Sequence, residues 1–150
     1  MISLSQQYKL GNPLDNSKNL GPMVKASAAN FVRKQIAQAG RHSFLLFNIL
    51  GGRLQPPHFP LLVEKGAVPL IDTSLFPEDR VGTPYMAPQV LVNVNHTMDV
   101  MMDESFGPVI GIMKVSTDEE AVTLMNDSPF GLTASIWTND TDAAIRIGDQ

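Results

Sequence analysis

Cysteine is missing from all 150 residues of this chain. That absence excludes disulfides, thiolate metal centres and any thiol nucleophile supplied by the chain itself. Histidine is scarce, and its three positions, His42, His58 and His96, make no zinc-type ligand spacing. No Gly-x-Ser-x-Gly sequence signals an activated serine. No basic cluster interrupts a net charge of −4, so the electrostatic footprint of nucleic-acid binding is absent. Long apolar runs are lacking too. The longest, Phe44 to Leu50, is broken by Asn48 and is far too short to span a bilayer. The start, Met1 to Gln7, has neither the basic nor the apolar region of a secretory signal. A cytoplasmic or organelle-matrix protein without membrane partners is the resulting expectation.

What is present has the composition of a folded domain, with 43% hydrophobic and 17% charged residues. Residues 8–25 read as loop, punctuated by Gly11, Pro13, Gly21 and Pro22. A helix is expected from near Ser27, because Ala28, Phe31, Val32, Ile36 and Ala39 form an amphipathic stripe. Arg33, Lys34 and Gln38 are assigned to its wet side. Val68–Ile71, Gln89–Val94, Val109–Met113 and Thr133–Thr138 have the character of strands, Val109–Met113 that of a strand buried on both faces. Thr117 and Glu120 stand at capping-box spacing before a helix bearing Ala121, Val122, Leu124 and Met125. Asp140 or Thr141 can cap a last helix. Alternating strands and helices predict an α/β fold with a mostly parallel sheet.

Residues 40–62 have a different character. They contain no acid, two of the three histidines, three of the seven phenylalanines, Gly51-Gly52 and Pro56-Pro57, and they follow neither period. Removing them joins Ala39 to Val63, continues the helical stripe and places Gly66 at a C′ position after Lys65. The segment is therefore expected to be foreign to the fold, although a genuine long loop is the competing reading.

The stretch from Asp103 to Val109 is the richest in chemistry. Gly107 lets backbone approach a ligand closely, and Pro108 stiffens the turn. A carboxylate at Glu104 can accept two hydrogen bonds from a vicinal diol, and a ring at Phe106 can face a flat heterocycle. By physical chemistry alone the pair also reads as a solvated acid and a core phenylalanine. His96 and Asp99 could form a base and its orienter, but surface turn residues are the commoner outcome.

Glu104-Ser105-Phe106-Gly107-Pro108-Val109 resembles the Glu-x-Phe-Gly-Pro-Val signature of the aldehyde dehydrogenase superfamily. Asn126 to Thr138, with Phe130-Gly131-Leu132, resembles that family's Asn-x-x-x-Tyr/Phe-Gly-Leu block. Gly11-Asn12-Pro13 followed by Gly21-Pro22 resembles its approach to a helix. The resemblance runs from Tyr8 to Asp149. It implies part of the family's catalytic domain, with Glu104 holding the nicotinamide ribose and Phe106 packing near the nicotinamide ring of NAD or NADP. The implied parent activity is oxidation of an aldehyde substrate to its carboxylic acid, in an enzyme that can be a homo-oligomer. The family's nucleophilic cysteine, general-base glutamate and cofactor-binding domain lie upstream of these motifs. This chain is therefore expected to be inactive alone. The alternative is a non-catalytic remnant that packs against full-length subunits.

Overall fold

The computed structural model describes residues 2–40 and 66–149. Most of the segment expected to be foreign, residues 40–62, thus lies outside the described residues, as does the continuation of the helix through Val63–Lys65. The chain divides into two units, Met1–Met113 and Lys114–Gln150.

The first unit begins with a short helix, α1 (Ile2–Ser5). A loop follows in which Leu10 and Leu20 form an isolated parallel bridge. The helix expected near Ser27 is α2 (Ala26–Ala39), preceded by Lys25 in an extended conformation. Its buried residues are Ala29, Val32, Gln35 and Ala39, so the stripe read from sequence is split. Ala29, Val32 and Ala39 face the core, whereas Phe31 remains 46% exposed. Arg33 departs from its assignment to the wet side. Its guanidinium is half-buried and pairs with Asp79 at 2.6 Å, and it also donates to the Tyr85 carbonyl at 2.6 Å and the Arg80 carbonyl at 3.2 Å. A planar cation with several donors can satisfy one carboxylate and neighbouring carbonyls together, which makes its partial burial tolerable. Arg33 thereby ties α2 to the loop of residues 79–85.

Three strands form one sheet in the order β1 (Val68–Pro69), β2 (Gln89–Val92), β3 (Val109–Ile112). β2 and β3 pair in parallel, with Val90 opposite Ile110. β1 lies antiparallel to β2, with Val68 opposite Val92, so the sheet is mixed. The strand expected over Val68–Ile71 is shorter because the Gln89 side chain takes over its role. Its Oε1 accepts from the Ile71 amide at 2.9 Å and its Nε2 donates to the Ile71 carbonyl at 3.1 Å. The β2 strand stops at Val92, before Asn93 with φ of 58°. Left-handed backbone suits asparagine better than most residues and breaks the ladder there. Leu91, fully buried, packs with Ala39, Ala67, Val94, Met98 and Val100 in the core between α2 and the sheet.

β3 differs from its expected burial. Ile110 and Ile112 are 44% and 40% exposed, because β3 is an edge strand with one side of the sheet uncovered among the described residues. Between β2 and β3 the turn at Asn95–Thr97 leads into a single helical turn, α3 (Asp99–Met102).

The second unit carries two helices, α4 (Asp118–Met125) and α5 (Thr141–Gly148). Half of the capping box forms: Thr117 Oγ1 accepts from the Glu120 amide at 3.1 Å, whereas the Glu120 carboxylate accepts from the amide of Ser116, one residue before the cap, at 2.8 Å. Asp140 caps α5 by accepting from the Ala143 amide at 2.9 Å. Thr133–Thr138, in contrast, is not a strand, and Trp137 is 94% exposed rather than packed. Strand propensity is realised only against a partner, and no described residue pairs with this stretch. No helix among the described residues is long and apolar enough to cross a membrane.

Candidate functional site

Pro108 delivers the chain into β3, and its carbonyl accepts from the Gln89 amide at 2.7 Å. Immediately upstream, the Gly107 amide donates to the Ser105 carbonyl at 2.9 Å and the Val109 amide to the Gly107 carbonyl at 2.8 Å. Two successive i→i+2 bonds make a tight, self-braced turn. Residues 103–106 enter it from the end of α3, where the Asp103 amide donates to the Asp99 carbonyl at 2.8 Å.

Glu104 and Phe106 come together in one groove of about 400 Å³. Its opposite wall is the first turns of α2: Val24 and Lys25 from the approach, then Ser27, Ala28, Phe31 and Val32. Phe106 is 76% exposed, which removes the core-phenylalanine reading of that residue. Glu104 is also exposed, and no ion pair or hydrogen bond to a described residue occupies its carboxylate. An aromatic face and an unengaged carboxylate therefore line one groove, beside a mostly apolar helix face. The groove is open to solvent along Glu104 and Phe106. Its lining is predominantly apolar, with Lys25, Ser27 and Glu104 as the polar members.

Gly107 plays a different part from the one expected. A Cβ there would lie 2.9 Å from Val32 Cγ2 and 3.0 Å from Met23 Cε. The missing side chain admits α2 and Met23 to the turn, so it serves packing rather than approach of a ligand. Asp99 is likewise engaged structurally. Its carboxylate accepts from Gln38 Nε2 at 3.1 Å, and its amide donates to Gln38 Oε1 at 3.2 Å. Among the described residues no group of three or more His, Asp or Glu could hold a metal ion.

Sequence reasoning found the groove's carboxylate and ring but not its far wall. The sequence pattern puts Ala28 and Phe31 in the core stripe and Lys25 in the loop. The signal lies in the i, i+3 spacing of Ala28 and Phe31, which puts them on one helix face beside the core-facing one; Lys25, extended just before α2, carries no such signal.

The structure is thus a small α/β unit in which one tight turn brings a glutamate and a phenylalanine into the same groove. The sequence profile of the aldehyde dehydrogenase family matches residues 58–150, and the chain belongs to that family. Lactaldehyde dehydrogenase of Methanococcus maripaludis is 27% identical over 154 aligned positions, which take in 100% of this chain and 26% of the relative. The structure of an NADP-dependent glyceraldehyde-3-phosphate dehydrogenase from Bacillus halodurans, in complex with NADP, superposes with a TM-score of 0.71. It is 31% identical and covers 98% of this chain and 25% of its own. Succinate-semialdehyde dehydrogenase from Burkholderia pseudomallei gives a TM-score of 0.74 at 26% identity, covering 99% of this chain and 25% of its own. This chain thus spans about a quarter of the length of the relatives it matches.

Proposed function

We propose that the chain forms the nicotinamide-ribose end of the cofactor site of an NAD- or NADP-dependent aldehyde dehydrogenase, which oxidises an aldehyde to its carboxylic acid. The observation that supports this most is the shared groove of Glu104 and Phe106. The Glu104 carboxylate accepts hydrogen bonds from both hydroxyls of the ribose, a geometry two oxygens on one carbon suit well. Phe106 offers its face to the nicotinamide and limits the tilt of that ring. The bound dinucleotide supplies the acceptor for the hydride released from the substrate. The residues here hold and orient it, and small displacements of reacting groups cost about 100-fold in rate. The chain has no thiol with which to attack an aldehyde. Purified alone, it is expected to give no aldehyde-dependent NADH.

Binding tests the reading directly. Reduced nicotinamide mononucleotide carries the ribose and ring without the adenylate half, and its fluorescence reports association. The chain should bind it weakly, with Glu104→Gln and Phe106→Ala each weakening it further. Equal binding by Glu104→Gln and the unaltered chain would remove the carboxylate from the site.

A second reading is favoured by the exposed apolar surface of the second unit, where Leu132 is 98% and Trp137 94% exposed. On that reading the chain is a non-catalytic partner that packs against full-length subunits of the same family. The native protein's mass on a denaturing gel separates the two. A band near 16.4 kDa favours the partner, and one several times heavier favours the enzyme.

A further inference from the structure

Glu104 and Phe106 line the groove against the first turns of α2, whereas Ser105 between them reaches further along that helix. There its hydroxyl donates to Gln35 Oε1 at 2.6 Å. Among the described residues this is the one hydrogen bond that ties residues 104–106 to α2. The remaining bonds of the turn are internal to it or join Pro108 to β2.

Gln35 is an unusual choice for its position. It is 2% exposed and lies one turn from Val32 and one from Ala39, on the helix face that packs into the core. Its Nε2 makes no hydrogen bond to a described residue. A buried amide satisfied at one end costs free energy that a leucine of similar size avoids. Stability therefore does not account for it.

We infer that Gln35 is a positioning residue for the groove. It holds Ser105 against α2 and thereby holds Glu104 and Phe106 in the groove. Without that anchor the segment is held to α2 by no other hydrogen bond among the described residues, and both groups are free to leave the groove. The inference rests on the ribose reading for its ligand but not for its geometry. What Gln35 contributes is orientation of the segment, and it touches neither cofactor nor substrate.

The test uses the full chain with Gln35→Leu, Ser105→Ala, the double variant and Ser105→Thr, which keeps the hydroxyl. Three quantities are read: amide hydrogen exchange at residues 104–107, affinity for reduced nicotinamide mononucleotide, and the urea midpoint. Gln35→Leu and Ser105→Ala should each speed exchange and weaken binding by about two- to tenfold, the worth of one net hydrogen bond. The double variant should do no more than either single one, and Ser105→Thr should behave as the unaltered chain. The urea midpoint of Gln35→Leu should hold or rise, a pattern that a merely structural glutamine would not give. Unchanged exchange at residues 104–107 in both single variants overturns the inference, whatever the ligand does. Faster exchange together with no nucleotide binding by the unaltered chain overturns the ribose reading and sustains the positioning. Ser105→Ala, on a half-exposed turn, carries the test alone if Gln35→Leu fails to fold.

Discussion

The amide of Ala67 donates to the carbonyl of Ala39 at 2.9 Å, closing the end of α2 directly onto the approach to β1. The two ends of the intervening segment therefore meet at hydrogen-bonding distance. Without residues 40–62, Ala67 would be the fifth residue after Ala39. The same bond would then be the 6→1 closure of a helix that ends with glycine, here Gly66, at C′. Four residues suffice to span what the chain spans with many more.

Deleting residues 40–62 is accordingly expected to leave the first unit folded, and to stabilise it by about 1 kcal/mol through the shorter loop closure. Thermal unfolding and hydrogen exchange across residues 66–94 measure this. A deletion variant that loses the cooperative transition would show that the segment belongs to the fold. Transcript sequencing addresses its origin separately: an abundant message encoding the whole segment, with no shorter form, counts against a foreign insertion.

Arg33→Met should cost about 2 kcal/mol, more than an exposed ion pair is worth. The half-buried Asp79 would keep only its bond from the Ala87 amide, 3.0 Å long. The carbonyls of Arg80 and Tyr85 would lose a donor as well. A urea midpoint that does not move would mean that water replaces the guanidinium without penalty.

Gly107→Ala should destabilise by about 1–3 kcal/mol, the usual cost of overpacking. The new methyl group would press on Met23 and on Val32, which also lines the groove. Phe106 should shift as a result, and nucleotide binding should fall with stability. Val32→Ala in the same chain should recover part of both, because it removes the atom in closest conflict. Without that recovery the cause would lie in backbone conformation rather than in contact.

Acid should act through the loop carboxyls. The Ser74 hydroxyl, and then its amide 2.9 Å away, hold Asp72 below the usual carboxylate range. The Ser17 amide and hydroxyl do the same for Asp15. A carboxyl with a lower pKa when folded contributes fully above the unfolded value of about 3.9, and the contribution is lost as pH falls through the folded value. Stability should thus hold to about pH 5 and decline below about pH 4, with Asp72→Asn flattening part of the decline. Urea midpoints at three pH values suffice. An identical slope in the variant would remove Asp72 from the account.

The sequence by itself determined the local devices. Thr117 with Glu120 and Asp140 with the Ala143 amide act within a few residues, so spacing and side-chain chemistry already decide them. The turn around Pro108 and the helix over residues 26–39 were legible for the same reason. Glu104 and Phe106 were candidates because the Glu-x-Phe-Gly-Pro-Val run resembles the family signature, whereas their chemistry alone also fits a solvated acid and a core ring. Only the tertiary structure decided what each face meets. It turned Arg33 inward onto Asp79, gave Gly107 to Val32 and Met23, and set Ala28 and Phe31 across the groove from Glu104. Among the described residues it also left Thr133–Thr138 unpaired and one side of β3 uncovered. A period names the face of a helix or strand, but the partner arrives from elsewhere in the chain, and burial follows from that meeting.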